Sequence, residues 1–212
     1  MIRLYTYYRS SAAYRVRIAL NLKGIDHEQV AVNLLEGEEQ GDAYRAVNPQ
    51  GLVPTLEVDG QRFTQSLAIL EYLEERWPDP SLLPAGAPER ARARALADLI
   101  ACDIHPLNNL RVLKYLTDEL EVDSDERNRW YRHWIEEGFR AFEQQLEALG
   151  SADVCFGTQP GLADVLLIPQ VYNARRFAVD LEPFPRIRRI EAHCLTLDAF
   201  ARAQPEQQAD AP

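Results

Sequence analysis

Residues 2–24 read IRLYTYYRSSAAYRVRIALNLKG. The β-branched and aromatic run Ile2–Tyr8 reads as a strand. Arg9-Ser10-Ser11 follows, and Ala12–Lys23 then runs to Gly24. A serine N-cap at one end and a glycine stop at the other frame a helix. Tyr14, Val16 and Ile18 alternate with Arg15 and Arg17 as in a strand, but the length and the alanines favour the helix. Glu28–Val32 reads as a second short strand. Asn48-Pro49-Gln50-Gly51 is a turn signal. Leu52–Val58 and Gln61–Thr64 flank Asp59-Gly60, a hairpin signature. Gln65–Trp77 carries Leu67, Leu70, Tyr72 and Leu73 at helical spacing. With a loose polar helix over Glu36–Ala46, the order is β-α-β-α-β-β-α. Pro54, at the front of a strand, suits an edge or an unusual peptide bond.

Beyond the proline-rich linker 78–88 (PDPSLLPAGAP) the pattern changes. Arg90–Leu116 is rich in alanine and leucine, with a kink expected at Pro106. Asp118–Glu126 reads as an acidic loop and Asn128–Leu149 as an amphipathic helix. Gly161-Leu162-Ala163-Asp164 opens another helix, with Asp164 placed to satisfy first-turn amides. Pro185–Phe200 adds further helix, and the polar Gln204–Pro212 is expected to fray. The expected fold is an α/β domain over 1–80 followed by an all-α domain over 88–212.

Composition narrows the function. The 212 residues are 46% hydrophobic and carry a net charge of −10, which argues against a general nucleic-acid binder. No apolar run reaches membrane-spanning length, and the N-terminus lacks a secretory pattern, so a cytoplasmic protein without membrane attachment is expected. Cys102, Cys155 and Cys194 are far apart with no CxxC pair, which fits reduced thiols and argues against a metal site. Charge is uneven: residues 1–30 hold five basic and two acidic side chains, and residues 171–190 hold the same numbers. Such islands either draw a small anion or are solvated faces.

The run Arg9–Leu20 is similar to the signature R-S-S-C-x-W/H-R-V-R-I-A-L of the zeta class of soluble glutathione transferases. Asn48-Pro49-Gln50, Val53-Pro54, Gln65-Ser66, Asp103–Asn109 (DIHPLNN) and Pro169-Gln170-Val171 with Arg175-Arg176-Phe177 extend the resemblance over nearly the whole chain. Ala12 stands at the signature's cysteine and Tyr14 at its Trp/His position. Thiol-exchange chemistry, which needs a protein thiolate, is therefore not expected. The resemblance implies a thioredoxin-like N-terminal domain, an all-α C-terminal domain, bound glutathione and a homodimer. It implies an enzyme that isomerises a cis double bond to trans by reversible thiolate addition, with maleylacetoacetate the preferred substrate and maleylpyruvate the alternative. Conjugation of glutathione to halogenated acids and a non-catalytic glutathione-binding module remain open.

Each candidate residue also has a plain structural reading. Ser10 and Ser11 at a strand-to-helix turn are ordinary capping residues; under the resemblance Ser10 donates to the glutathione sulfur and Ser11 assists. One hydrogen bond to a charged group is worth roughly 1.5–3 kcal/mol, or about one to two pKa units on a thiol. Gln65-Ser66 reads as an N-cap pair or as the seat of the γ-glutamyl carboxylate. The resemblance gives Val53, ahead of Pro54, backbone bonds to the cysteinyl part, and gives Gln40 the glycyl end. It also makes His105 and Asn109 glutathione contacts, although His105 reads equally as a core histidine. Arg9, Arg111 and Arg176 form the expected clamp on a dicarboxylate substrate, since a guanidinium fork matches a carboxylate.

Overall fold

The computed structural model describes all 212 residues, Met1–Pro212. Met1–Leu82 and Leu195–Pro212 form one compact unit, and Leu83–Cys194 forms another. The sequence pattern assigns 195–212 to the helical half; the chain instead returns to the α/β unit, where Asn21, Gln29 and Tyr8 bond to it.

In the α/β unit, β1 (Ile2–Thr6), α1 (Ser11–Leu22) and β2 (Glu28–Ala31) form a parallel crossover. β3 (Thr55–Val58) runs antiparallel to β1 and is joined by the Asp59-Gly60 turn to β4 (Gln61–Thr64). Both turn residues have positive φ, +51° and +81°, as a two-residue hairpin with right-handed twist requires. The four strands lie in the order β2-β1-β3-β4, the thioredoxin-like arrangement. Only one short helix, α2 (Asp42–Arg45), and a 3-10 turn at Glu38–Gln40 form in the polar segment before β3. α3 (Ser66–Arg76) packs beside α1, and Leu4, Leu56, Ile18, Leu20, Ile69 and Leu73 are fully buried between helices and sheet.

α1 is enclosed almost all round, so the first basic island is largely internal. Arg15 and Arg17 are each 1% exposed. Arg17 Nε donates to the Ala203 carbonyl at 3.1 Å and Nη2 to the Tyr8 carbonyl at 2.8 Å. Lys23 Nζ meets Glu74 at 2.9 Å and the carbonyls of Trp77 and Pro80 at 2.7 and 2.8 Å. Glu74 also accepts from the Leu82 N–H at 2.9 Å, so the first half of the proline-rich segment is pinned to α3. Burial works to raise the Glu74 pKa, but the bonds from Leu82, Ser81 and Lys23 outweigh it and hold the carboxyl below its usual value.

The expected fraying of Gln204–Pro212 does not occur. Asn21 Nδ2 donates to the Ala199 carbonyl at 2.9 Å, Gln29 Nε2 to Gln208 Oε1 at 3.1 Å, and the Tyr8 N–H to Asp210 Oδ2 at 2.8 Å. Gln208 is buried. A polar composition gives no hint of side-chain-to-backbone bonds formed across nearly the whole length of the chain.

The helical unit contains α4 (Ala87–Asp98), α5 (Leu110–Asp118), α6 (Ser124–Leu149), α7 (Leu162–Arg176) and α8 (Pro185–Cys194). The interruption at Pro106 is a π-helical turn, Leu99–Ile104, followed by a 3-10 turn, His105–Asn108. α6 presses close on it: a Cβ on Gly138 would lie 2.2 Å from Ile104 Cδ1. Asp164, fully buried, accepts from the N–H groups of Gly161 and Cys155 at 2.8 Å each and caps α7 as expected. Burial pushes its pKa up against those bonds. The short α9 (Asp198–Ala201) lies in the C-terminal tail and packs on α1. No helix is long and apolar enough to cross a membrane.

Candidate active site

Within the α/β unit the predicted residues converge. Ser10 is the N-cap of α1, half-buried, and its Oγ accepts from the Ala13 N–H at 3.2 Å. That bond uses an oxygen lone pair and leaves the hydroxyl hydrogen to donate elsewhere. Ser11 is buried in the first turn. Arg9 lies over the Tyr8 ring at 5.1 Å, with Nη2 3.5 Å from the Tyr7 hydroxyl. Burial raises the Tyr7 pKa, and Arg9 opposes the shift.

Gln65 holds φ at +68°, an uncommon conformation for a side-chain-bearing residue, and makes no side-chain cap to α3. Its Nε2 donates instead to Gln50 Oε1 at 2.8 Å. Ser66 opens α3, buried, with Oγ accepting from Arg15 Nη1 at 3.1 Å. As at Ser10, the hydroxyl hydrogen stays available, here beside a buried guanidinium and a helix N-terminus. The Val53–Pro54 peptide bond is cis. Val53 precedes β3, so its N–H and C=O are not spent on strand pairing. Its side chain packs with Tyr7, Val32 and Tyr44, which sets Val53 next to the Ser10 turn. Gln40, exposed, donates from Nε2 to the Gly51 carbonyl at 3.3 Å and accepts from Arg45. Gly51 needs its positive φ of +62° and its missing Cβ, which would sit 2.8 Å from the Glu39 carbonyl. Gln40, Gly51, Val53, Gln50, Gln65 and Ser66 thus form one continuous strip of hydrogen-bonding groups.

The helical unit gathers the rest. His105 begins the 3-10 turn, half-buried. Asn109 caps α5, its Oδ1 accepting from the Arg111 N–H at 3.1 Å, which leaves the amide hydrogens and one oxygen lone pair to bind elsewhere. Arg111 is exposed on the first turn of α5. Arg176 ends α7, exposed, with its guanidinium 5.5 Å from the Phe177 ring centre. Phe177 stacks on Tyr131 at 3.6 Å, and the Tyr131 carbonyl accepts from Asn108 Nδ2 at 3.2 Å. Trp130 Nε1 donates to the Leu107 carbonyl at 2.8 Å. Through these contacts Arg176 and the segment His105–Arg111 share one end of the unit. In the second basic island Arg175 pairs with Glu191, Arg186 with Glu143 and Glu147, Arg188 with Glu182 and Arg189 with Asp153. Arg176 pairs with no carboxylate.

Arg15, Arg17, Gln50 and Asp210 were not among the expected site residues. A signal existed for the arginines: charged side chains in a helix apolar on nearly every face are enclosed and must find partners. No signal in the sequence singled out Asp210.

A family model described as the glutathione S-transferase N-terminal domain matches residues 4–81. The chain is 51% identical over 211 residues to a probable maleylacetoacetate isomerase of Vibrio cholerae serotype O1, with 98% of this chain and 97% of that protein covered. It is 49% identical over 210 residues to a maleylpyruvate isomerase of Ralstonia sp, with 99% of each covered. A holo structure of maleyl pyruvate isomerase, described as a bacterial glutathione S-transferase of the zeta class, superposes with a TM-score of 0.96 at 49% identity, covering 99% of this chain and 100% of that one. A maleylacetoacetate isomerase of Anaeromyxobacter dehalogenans 2CP-1, with dicarboxyethyl glutathione and citrate bound in its active site, superposes with a TM-score of 0.89 at 44% identity, covering 100% and 98%. The chain belongs to the glutathione transferases, in the zeta-class family of maleylacetoacetate and maleylpyruvate isomerases.

Proposed function

We propose that this protein is a glutathione-dependent cis–trans isomerase of maleylacetoacetate. The observation that carries the reading is Ser10: an N-cap hydroxyl whose acceptor side is taken by Ala13 and whose hydrogen is uncommitted, at the positive end of α1. Donated to the glutathione sulfur, that hydrogen favours the thiolate. Ser66 and the first turn of α3 hold the γ-glutamyl carboxylate, Val53 pairs with the cysteinyl backbone, and Gln40 faces the glycyl end. Gln65 holds Gln50 in place along the same strip, while His105 and Asn109 complete the glutathione contacts. Ser11 supports the first turn of α1.

The reaction follows from thiol chemistry. The thiolate adds to one alkene carbon, a C–S bond forms, and the π electrons move onto the conjugated carbonyl oxygen as an enolate. The former double bond is now single and rotates. Collapse of the enolate restores the double bond in trans geometry and expels the thiolate. No proton or electron is gained or lost overall, so glutathione is recovered unchanged. Arg9, Arg111 and Arg176 grip the substrate carboxylates and steady the enolate. Dicarboxyethyl glutathione, held by the Anaeromyxobacter relative, has the connectivity of a thiol added across an unsaturated dicarboxylate, which supports this route.

A maleylpyruvate reading is favoured by one observation: the holo zeta-class structure with the TM-score of 0.96 is a maleyl pyruvate isomerase. Turnover of each acid with and without glutathione, following both the trans product and free thiol, tests the set. Isomerisation at constant thiol is expected. Consumption of thiol would replace the reading with conjugation, and absence of any turnover would leave a binding module. Two further parts of the reading are a homodimer, checked by sedimentation, and a cytoplasmic setting, which suits three cysteines with no disulfide.

A further inference from the structure

We infer that Asp210 and Arg17 together clamp the turn that presents Ser10, so that the C-terminal tail is a positioning device for the sulfur-binding hydroxyl. The inference rests on the role of Ser10 proposed above. Ser10 follows Tyr7 and Tyr8, and the backbone groups of those residues are held from two sides. The Tyr7 carbonyl accepts from the Ser10 N–H at 2.9 Å and from Arg17 Nη1 at 3.4 Å. The Tyr8 carbonyl accepts from Arg17 Nη2 at 2.8 Å, and the Tyr8 N–H donates to Asp210 Oδ2 at 2.8 Å. Arg17 reaches on to Thr6 Oγ1 at 3.0 Å and the Ala203 carbonyl at 3.1 Å, so one buried guanidinium ties strand end, turn and tail.

Arg17 is a costly residue to bury without purpose: burial pushes its pKa down to about 10, and the charge of Asp210 works in the opposite direction. The cluster therefore holds a cation and a carboxylate on opposite sides of a single peptide unit. Charge-assisted bonds of this kind are shorter and stronger than neutral ones. A peptide so gripped has little freedom to rotate, and the Ser10 hydroxyl two residues on inherits its position. Hydrogen-bond donors that stabilise a developing or resting anion lose effect when displaced by a fraction of an ångström. Simple tail docking would need none of this precision.

The test titrates the ultraviolet thiolate absorbance of bound glutathione in the full-length wild type, Asp210→Ala and Asp210→Asn, with turnover of maleylacetoacetate and unfolding midpoints measured in parallel. Asp210→Ala is expected to raise the thiol pKa by about half to one unit, with a roughly three- to tenfold fall in kcat at neutral pH. KM for glutathione should stay within about twofold, because Ser66 and Gln40 lie outside the clamped turn. Asp210→Asn keeps an acceptor and loses the charge, so it should show a smaller shift in the same direction; if the alanine variant does not fold, this variant carries the test. A thiol pKa unchanged or lowered in both variants would overturn the clamp. A wild-type protein without a thiolate band, or one whose band survives Ser10→Ala, would instead sink the role of Ser10 itself.

Discussion

Two stretches of this chain carry the same excess of positive charge and became opposite physical objects. In residues 1–30, Arg15, Arg17 and Lys23 are buried and bound to Ser66, to backbone carbonyls and to Glu74. In residues 171–190, Arg175, Arg188 and Arg189 are exposed, Arg175 paired with the buried Glu191 and the other two with the exposed Glu182 and Asp153, and Arg176 is exposed with no carboxylate partner. The first group ties helix, turn and tail together inside the α/β unit; the second leaves one guanidinium, Arg176, without a carboxylate. Charge counted along a sequence does not separate these cases. What separates them is the surrounding pattern: Tyr14, Val16, Ile18, Ala19 and Leu20 wrap the first group in apolar surface, whereas the second lies beyond the apolar body of α7.

The contrast can be broken by substitution. Arg17→Met strands the carbonyls of Tyr8 and Ala203 in the interior and is expected to cost about 3–5 kcal/mol in urea unfolding, the range for dismantling a buried polar network. Glu74→Gln leaves Lys23 buried without its counter-charge and should cost about 3 kcal/mol. Because the Glu74 pKa is depressed in the folded state, its contribution is complete above the unfolded value of about 4.3 and drains away as pH falls through the folded value. The gap in stability between wild type and Glu74→Gln should therefore close on acidification; a gap constant down to acid pH would contradict the pairing. Arg176→Ala is expected to raise KM for the dicarboxylate roughly tenfold or more, about 1.4 kcal/mol or above, with glutathione affinity unchanged by calorimetry. An unaltered KM would remove Arg176 from the site. Arg188→Ala, by contrast, should change unfolding by no more than about 0.5 kcal/mol.

Much of the α/β unit was legible because its signals are local. Asp59-Gly60 marks its hairpin, Ser10 its cap and Gly24 the end of its helix, and each depends on residues within a few positions. The candidate strip from Gln40 to Ser66 was legible through family resemblance, not through spacing. What escaped was set by distance along the chain. Arg15 reaches Ser66, Arg17 reaches Ala203 and Asp210 reaches Tyr8, and no periodicity encodes such bonds. The alternation of Arg15 and Arg17 with Val16 and Ile18, ambiguous between helix and strand, also concealed that both arginines are enclosed. The interruption expected at Pro106 is wider than that residue: a π turn over Leu99–Ile104, with Ile104 close against Gly138, precedes the 3-10 turn that holds the proline.

The most direct measurement is the ultraviolet titration of glutathione bound to wild type and to Ser10→Ala. The wild type should show a thiolate band at neutral pH, with the thiol pKa below the ordinary value of about 8.5. In Ser10→Ala the band should move back by about one to two units while glutathione still binds through Ser66 and Val53. A band of equal strength at neutral pH in both proteins, with isomerisation undiminished, would contradict the account.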